Sequence, residues 1–184
     1  TSPGDVVMVE TPTYHGILQA VAAHGLKVLE LPHRPAGGLD LARLDTLLQQ
    51  APVRAAVLVP NFHNPLGTVL DDDDKRALLR SCARHGTVII EDDIYGDLAW
   101  SGERPRPLRH FDTGGGVITC SSFSKTLAPG LRVGYAGCRL DRRTGAREVS
   151  RHGGQCRATA ARTGGLSAAP RSRTAPAPPA PAPC

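Results

Sequence analysis

The sequence predicts an α/β fold, with a mostly parallel β-sheet and helices on its faces. Short apolar runs rich in β-branched residues alternate along the chain with segments of helical pattern, and this alternation is typical of parallel strands joined by helices. The 184 residues are enough for about one domain with its own core. Sheets of this kind bind ligands at the carboxyl ends of their strands. Polar residues at those ends are therefore the first candidates for a functional site.

The same patterns predict the individual elements. Six strands are predicted, at Asp5–Glu10, Leu26–Leu31, Ala55–Pro60, Thr87–Asp92, Val117–Ser121 and Arg132–Gly137. Three helices are predicted, at His15–His24, Leu41–Gln49 and Asp72–His85. The third helix follows a run of four aspartates. Carboxylates at that position cap a helix N-terminus and complement its dipole.

The composition changes after about Leu140. Residues 139–184 contain no Ile, Met, Phe, Tyr or Trp, and the chain closes with APAPPAPAPC. Such a segment cannot bury enough apolar surface to offset the entropy of ordering it. We therefore predict a folded part, residues 1–138, and a disordered low-complexity tail, residues 139–184. The tail is either a genuine flexible extension or the product of a shifted reading frame in GC-rich DNA.

The net charge of +5 does not indicate a nucleic-acid-binding surface. Residues 139–184 hold nine arginines and two acidic residues, which leaves 13 basic and 15 acidic side chains in residues 1–138. The basic excess thus belongs to the tail and forms no stripe or groove on the folded part. We expect no nucleic-acid binding by this chain itself.

Cysteine usage and hydropathy favour the cytoplasm. The five cysteines are odd in number and show no CxxC or metal-binding spacing. The sequence has no signal peptide and no apolar run of membrane-spanning length, so no membrane partner is expected. The chain lacks an initiator Met and opens just before a strand. We therefore expect it to be a piece of something longer.

The stretch VITCSSFSKTLAPGLRVGYAG, residues 117–137, places Lys125 at the end of a predicted apolar strand. Desolvation there would leave part of the Lys125 amine neutral and able to attack an aldehyde. Ser122 and Ser124 offer hydroxyl donors, and Arg132 offers a bidentate cation, a combination that suits a phosphate. The alternative is an ordinary surface loop that contains a lysine and an arginine.

Three other strand ends carry residues that suit a flat, charged ligand. Asp92, in TVIIEDDIYGDL, is costly to bury unless it is paired, for example with a cationic ring nitrogen, and Tyr95 could reach the same ligand. The NPLG turn would hold the Asn64 amide as a donor to a ring oxygen. Tyr14 could stack on the ring. A solvated acidic turn, a strand-exit turn and a core tyrosine are the alternatives. Together with Lys125, these groups meet the requirements of pyridoxal phosphate.

The motifs resemble those of a known family over about residues 1–137. SSFSKTLAPGLRVGY is similar to the lysine signature of class I/II aminotransferases, which have the aspartate-aminotransferase fold; NPLG and EDDIY resemble the family's Asn-Pro-x-Gly and Asp-x-x-Tyr motifs, in the same order. EDDIYGDL with FSKTLAPGLR resembles most closely the aminotransferase-like domains of MocR-type regulators in the GntR group, which carry a winged helix as well. Near relatives include aminotransferases for 2-aminoadipate or aromatic amino acids. The resemblance implies the central part of the three-layer α/β/α large domain.

The resemblance also implies a role for each matching position. Lys125 would form the internal aldimine and move the proton between substrate and cofactor. Asp92 would pair with the pyridinium nitrogen and keep the ring an electron sink. Asn64 and Tyr95 would donate to the ring oxygen, and Tyr14 would stack on the ring face.

The phosphate would be bound by Ser122 and Arg132, with Ser124 a weaker candidate. The family's upstream phosphate loop and its carboxylate-binding arginine have no match in this chain, so an incomplete fragment is expected. It would come from an enzyme that transfers an amino group from an amino acid to a 2-oxo acid, or from the effector-sensing domain of a regulator. A non-functional pseudogene product is the third alternative. Intact relatives are expected to be homodimers.

Overall fold

The structure, a computed structural model, describes residues 1–138 except Ala36 and Ser101, together with the backbone strand at residues 157–160. The rest of the predicted tail lies outside the described residues. No helix in the described part of the chain is long and apolar enough to cross a membrane.

In the part of the chain that the structure describes, seven strands form one sheet, in the order β2-β1-β3-β4-β5-β6-β7. The strands are β1 Val6–Thr11, β2 Lys27–Pro32, β3 Val53–Leu58, β4 Val88–Asp92, β5 Val117–Ser122, β6 Val133–Cys138 and β7 Arg157–Ala160. Every neighbouring pair is parallel except β5 and β6, which are antiparallel. The prediction of a mostly parallel sheet is confirmed, and each of the six predicted strands lies within two residues of its observed bounds.

Among the described residues, four α-helices cover the sheet: α1 His15–Ala23, α2 Leu41–Gln50, α3 Asp72–Arg84 and α4 Leu108–Phe111. One face of the sheet packs on α1 through Val7, Val9 and Val21. The opposite face packs on the other helices in a larger core, to which Leu44, Leu78 and Leu108 contribute. Strand β1 reads Val-Val-Met-Val because it is buried from both sides. The layers are therefore helix, sheet and helix.

Carboxylates cap three of these helices. The Asp40 side chain accepts from the Arg43 N–H at α2, and Asp71 accepts from the Asp74 N–H at 2.7 Å, as the aspartate run predicts for α3. Helix α4 was not predicted. It has one turn, and its capping carboxylate is Glu91, which accepts from the Leu108 N–H at 2.5 Å across 17 residues of sequence. Because Glu91 is so far from Leu108 in the sequence, no local sequence pattern indicates the start of this helix.

The division at residue 138 and the disorder of the tail stay predictions. Residues 157–160, which lie within the predicted tail, form β7 and pair in parallel with β6 from Val133 to Ala136. A strand beside an open sheet edge is held by backbone N–H and C=O groups, so a composition poor in apolar residues does not prevent the pairing.

Candidate active site

Two of the predicted residues are in direct contact. Asn64 lies in the loop after β3 and Tyr95 lies three residues past the end of β4, and Asn64 Nδ2 donates to Tyr95 Oη at 3.3 Å. Both residues line a surface cavity of about 350 Å³ with Phe62, Pro65 and Leu98. The parallel order of β3 and β4 brings these loops to the same edge of the sheet. The Asn64 amide and the Tyr95 hydroxyl thus line one cavity, an arrangement in which both could donate to a ring oxygen of a ligand.

Asp92 is the last residue of β4 and is half-buried. Burial raises the pKa of its carboxyl group, the charges of Asp93 and Glu10 raise it further, and a hydrogen bond from the Ile94 N–H opposes the rise. No ion pair joins Asp92 to a residue that the structure describes. A carboxylate in this position gains from a cation brought by a ligand.

The lysine segment differs from the prediction. Strand β5 ends at Ser122, and Lys125 stands three residues further on, in an exposed turn. The prediction that Lys125 is desolvated is therefore wrong, because β5 ends before Lys125 and the turn lies outside the core. The turn is ordered by its backbone, with the Leu127 N–H donating to the Phe123 carbonyl at 2.9 Å.

The phosphate candidates lie on the hairpin formed by β5 and β6. The antiparallel register pairs Ser122 with Gly134, so Arg132 returns to the neighbourhood of Ser122 as predicted. The Ser122 hydroxyl accepts from the Ser124 N–H at 3.2 Å. Arg132 is exposed and has a left-handed backbone, φ 49°, directly after the 3₁₀ turn Pro129–Leu131.

Tyr14 occupies the N-cap position of α1 and is 44% exposed. Its ring lies 4.5 Å from the ring of His15 and against Gly16, where a Cβ would collide with it. The ring of Tyr14 is therefore partly exposed, although His15 and Gly16 lie against it. No hydrogen bond joins Tyr14 to Asn64, Tyr95 or Asp92 within the described residues.

Sequence reasoning missed a buried polar network beneath the Asn64 and Tyr95 loops. Asp93 is 2% exposed and accepts from Asn61 Nδ2 at 3.0 Å and from Arg104 Nη2 at 2.6 Å. Lys75, on α3, donates to Asn61 Oδ1 and to the Arg106 carbonyl, both at 2.8 Å. Burial lowers the pKa of Lys75, against the opposing charges of nearby carboxylates. The available signal was a polar residue within three positions of the end of an apolar strand, at position 61 after β3 and at position 93 after β4.

A second missed cluster lies at the ends of the first three strands. Glu10, on β1, is 1% exposed and accepts from the Val59 N–H at 2.9 Å. His63 Nε2 lies 3.1 Å from Glu10 Oε2, and His33 Nε2 lies 3.6 Å from Glu10 Oε1. Burial raises the pKa of Glu10, but its contacts with both histidines and with Val59 outweigh burial and keep the pKa lowered.

Comparison with known proteins identifies the family of this chain. Residues 1–169 match the family described as aminotransferase class I and II. An uncharacterized HTH-type transcriptional regulator of Escherichia coli, YjiR, is 48% identical over 133 residues, which are 72% of this chain and 28% of the regulator.

Solved structures of aminotransferases share the fold. Kynurenine aminotransferase of Pyrococcus horikoshii superposes with a TM-score of 0.67 at 35% identity, over 72% of this chain and 34% of that one. The α-aminoadipate aminotransferase LysN of Thermus thermophilus, solved with N-(5'-phosphopyridoxyl)-L-leucine, gives a TM-score of 0.66 at 34% identity, over 71% and 34%.

The chain spans about a third of the length of these relatives. The family depends on pyridoxal phosphate, and the matching region of this chain contains the NPLG, EDDIY and SSFSK sequences. The family match covers most of the sequence, and the helix–sheet–helix layers agree with it. This chain belongs to the class I and II aminotransferase family.

Proposed function

We propose that this chain is the central part of the cofactor-binding large domain of a pyridoxal-phosphate-dependent aminotransferase. Such an enzyme moves an amino group from an amino acid to a 2-oxo acid. The observation that carries the proposal is the contact between Asn64 and Tyr95, just beyond Asp92, at the carboxyl edge of the sheet. When bound, pyridoxal phosphate supplies an aldehyde carbon and a ring that accepts electrons from the substrate carbon.

The ring-binding residues fit this cofactor. Asp92 is half-buried, has a raised pKa and has no cationic partner in the described part of the chain, so a protonated ring nitrogen would supply the charge that it lacks. The Asn64 amide and the Tyr95 hydroxyl are held together and can both donate to a ring oxygen. Tyr14, with an exposed ring, is our candidate for stacking.

The hairpin supplies the amine and the phosphate contacts. The exposed Lys125 Nζ is accessible to an aldehyde carbon, and we assign it both the covalent attachment and the transfer of the substrate's α-proton. Arg132 and the hydroxyls of Ser122 and Ser124 would bind the phosphate. The intact protein would act on an amino acid and a 2-oxo acid, as a homodimer. We also place it in the cytoplasm, where the free thiols of Cys82, Cys120 and Cys138 would stay reduced.

A second candidate function is ligand sensing. The regulator YjiR, with an identity of 48%, favours it. In a sensor the same lysine would report an effector, and turnover would be incidental. The DNA immediately upstream of Thr1 separates the two: an in-frame winged-helix sequence supports the sensor, whereas a methionine a short distance upstream supports the free-standing enzyme.

The test is covalent trapping. The purified chain is incubated with pyridoxal phosphate at limiting concentration, reduced with borohydride and mapped by peptide mass spectrometry. We expect the pyridoxyl adduct on Lys125, and Lys125→Ala should abolish it while part of the non-covalent binding persists.

Lys27 is the matched control, because it is also exposed and would be labelled by any non-specific reaction. Lys75 is 1% exposed and should stay unmodified. Equal labelling of Lys27 and Lys125, or an adduct on Lys75 alone, would overturn the assignment.

A further inference from the structure

Glu10, His33 and His63 form a compact buried cluster that the aminotransferase assignment does not use. Each offers one ligand atom, and these atoms all lie within 4.8 Å of one another. The side chains are 1%, 5% and 1% exposed, respectively. Three different strands deliver them, because Glu10 lies on β1, His33 directly follows β2 and His63 is in the loop after β3.

The cluster contains polar atoms that nothing in the described chain satisfies. Glu10 Oε1, His63 Nε2 and both ring nitrogens of His33 are buried without a hydrogen-bond partner. His63 Nε2 lies near Glu10 Oε2 without the direction of a hydrogen bond. Buried polar atoms in native proteins nearly always have partners, so several of them facing one another indicate a missing ligand.

The donor set identifies the class of ligand. Two imidazoles and one carboxylate suit zinc and its neighbours among the divalent transition metals, whereas magnesium and calcium prefer oxygen ligands alone. With metal–ligand bonds of about 2.0–2.1 Å, tetrahedral ligands lie roughly 3.4 Å apart. The separation of His33 Nε2 from Glu10 Oε1, 3.6 Å, is close to that value. His63 Nε2 lies 3.1 Å from the other carboxylate oxygen, Oε2, and the three ligand atoms all lie within 4.8 Å of one another.

We propose that Glu10, His33 and His63 bind a Zn²⁺ ion through Glu10 Oε1 and the Nε2 atoms of the two histidines, with water as the fourth ligand. The Val59 N–H already holds the other carboxylate oxygen, as an outer-shell partner does. The site is independent of the cofactor proposal. It would join the ends of β1, β2 and β3 and fix the position of His63, the residue before Asn64.

One contact opposes the ion. The Leu66 N–H lies 3.4 Å from His63 Nδ1, which favours the tautomer with its proton on Nε2. Metal binding would move that proton to Nδ1 and break this hydrogen bond. The bond is long and between neutral groups, and three metal–ligand bonds outweigh it.

The test measures Zn²⁺ binding by the purified chain, using calorimetry and elemental analysis after dialysis. We expect one ion per chain, a higher thermal unfolding midpoint with zinc, and about a hundredfold loss of affinity in His33→Gln. His24→Gln is the matched control, since His24 is an exposed histidine at the end of α1 and should bind as wild type does. Equal affinity in His33→Gln and wild type would overturn the proposal.

A second measurement does not depend on variants that fold. Cobalt replaces zinc in such sites, and its visible and X-ray absorption spectra report the ligand atoms. We expect nitrogen and oxygen ligands with two imidazoles and no sulfur. A thiolate-to-cobalt charge-transfer band would show that cysteines hold the ion, and the absence of any bound cobalt would show that the cluster holds none; either result overturns the assignment.

Discussion

The loops that follow β3 and β4 are held by buried contacts, whereas the hairpin that follows β5 is exposed, although both lie at the same edge of the sheet. Asn61 and Asp93 fix the first region through hydrogen bonds to each other and to Lys75 and Arg104. In the second region Lys125 and Arg132 are exposed, and no hydrogen bond or ion pair joins either side chain to another described residue. The ring-binding half of the candidate site is thus preorganised by this chain, and the lysine and phosphate half is not.

This difference has a consequence for ligand binding. A preorganised region binds without a cost in ordering its side chains, whereas an exposed loop loses rotamer entropy when a ligand fixes it. Leu127 and Leu131, which are 71% and 53% exposed, add apolar surface to the second region. We therefore expect mutations in the first region to change stability, and those in the second to change cofactor binding.

The largest effect is expected for Asp93→Ala. The substitution removes the acceptor of Asn61 Nδ2 and the carboxylate paired with Arg104, so it should lower the free energy of unfolding by about 3 kcal/mol. Lys125→Ala, in the exposed hairpin, is the control and should change it by less than about 0.5 kcal/mol. Urea unfolding followed by circular dichroism measures both. Equal losses in the two variants would remove the contrast between the regions.

An intermediate effect is expected for Lys75→Met. It leaves Asn61 Oδ1 and the Arg106 carbonyl without their donor, and about 2 kcal/mol of stability should be lost. The loss should depend on pH. Burial lowers the pKa of Lys75 in the folded chain, so the unfolded chain binds more protons in the window below the ordinary value of 10.5.

The sign follows from that difference in bound protons. Through this window the wild-type free energy of unfolding should rise with pH relative to the Met variant, so the deficit of Lys75→Met should grow. Unfolding curves of both proteins at several alkaline pH values give the difference directly. A deficit that shrinks as the pH rises would mean that Lys75 is held as a charged partner of its carboxylate neighbours.

The elements of the fold could be predicted from the sequence because local patterns determine them. The apolar run of β4 and the aspartate run at the start of α3 each lie within a short window, and the observed bounds of both elements agree with prediction. The turn after β3 likewise places Asn64 beside Tyr95 because both follow neighbouring parallel strands.

Burial of single polar residues could not be predicted in the same way. Lys75 looks like a solvated first-turn lysine, yet the packing of α3 over the loop after β3 buries it. Asp92 and Asp93 are adjacent acids, and only the tertiary structure shows that Asp93 is the one held by Arg104. For Lys125 the opposite happened: its position at a strand end predicted burial, whereas the structure shows it in an exposed turn.

The smallest effect, and a change of opposite sign, is expected for Arg132→Gly. Arg132 has φ 49°, a left-handed conformation that costs a non-glycine residue about 1–2 kcal/mol. Glycine removes this cost but gives the unfolded chain more entropy, worth about 0.5–1 kcal/mol. The net result should be a stabilisation of about 0.5 kcal/mol, together with weaker binding of pyridoxal phosphate because the guanidinium is lost.

Arg132→Ala separates these two contributions. It removes the same guanidinium but keeps a Cβ, and with it the left-handed strain, so it should weaken cofactor binding equally without stabilising the chain. Urea unfolding and cofactor titration of the two variants give both quantities. If the glycine variant unfolds no later than the alanine variant, the backbone at residue 132 is not strained. In that case, the left-handed conformation of Arg132 would not lower the stability of the chain, and the exposed hairpin would place its guanidinium near a phosphate without that cost.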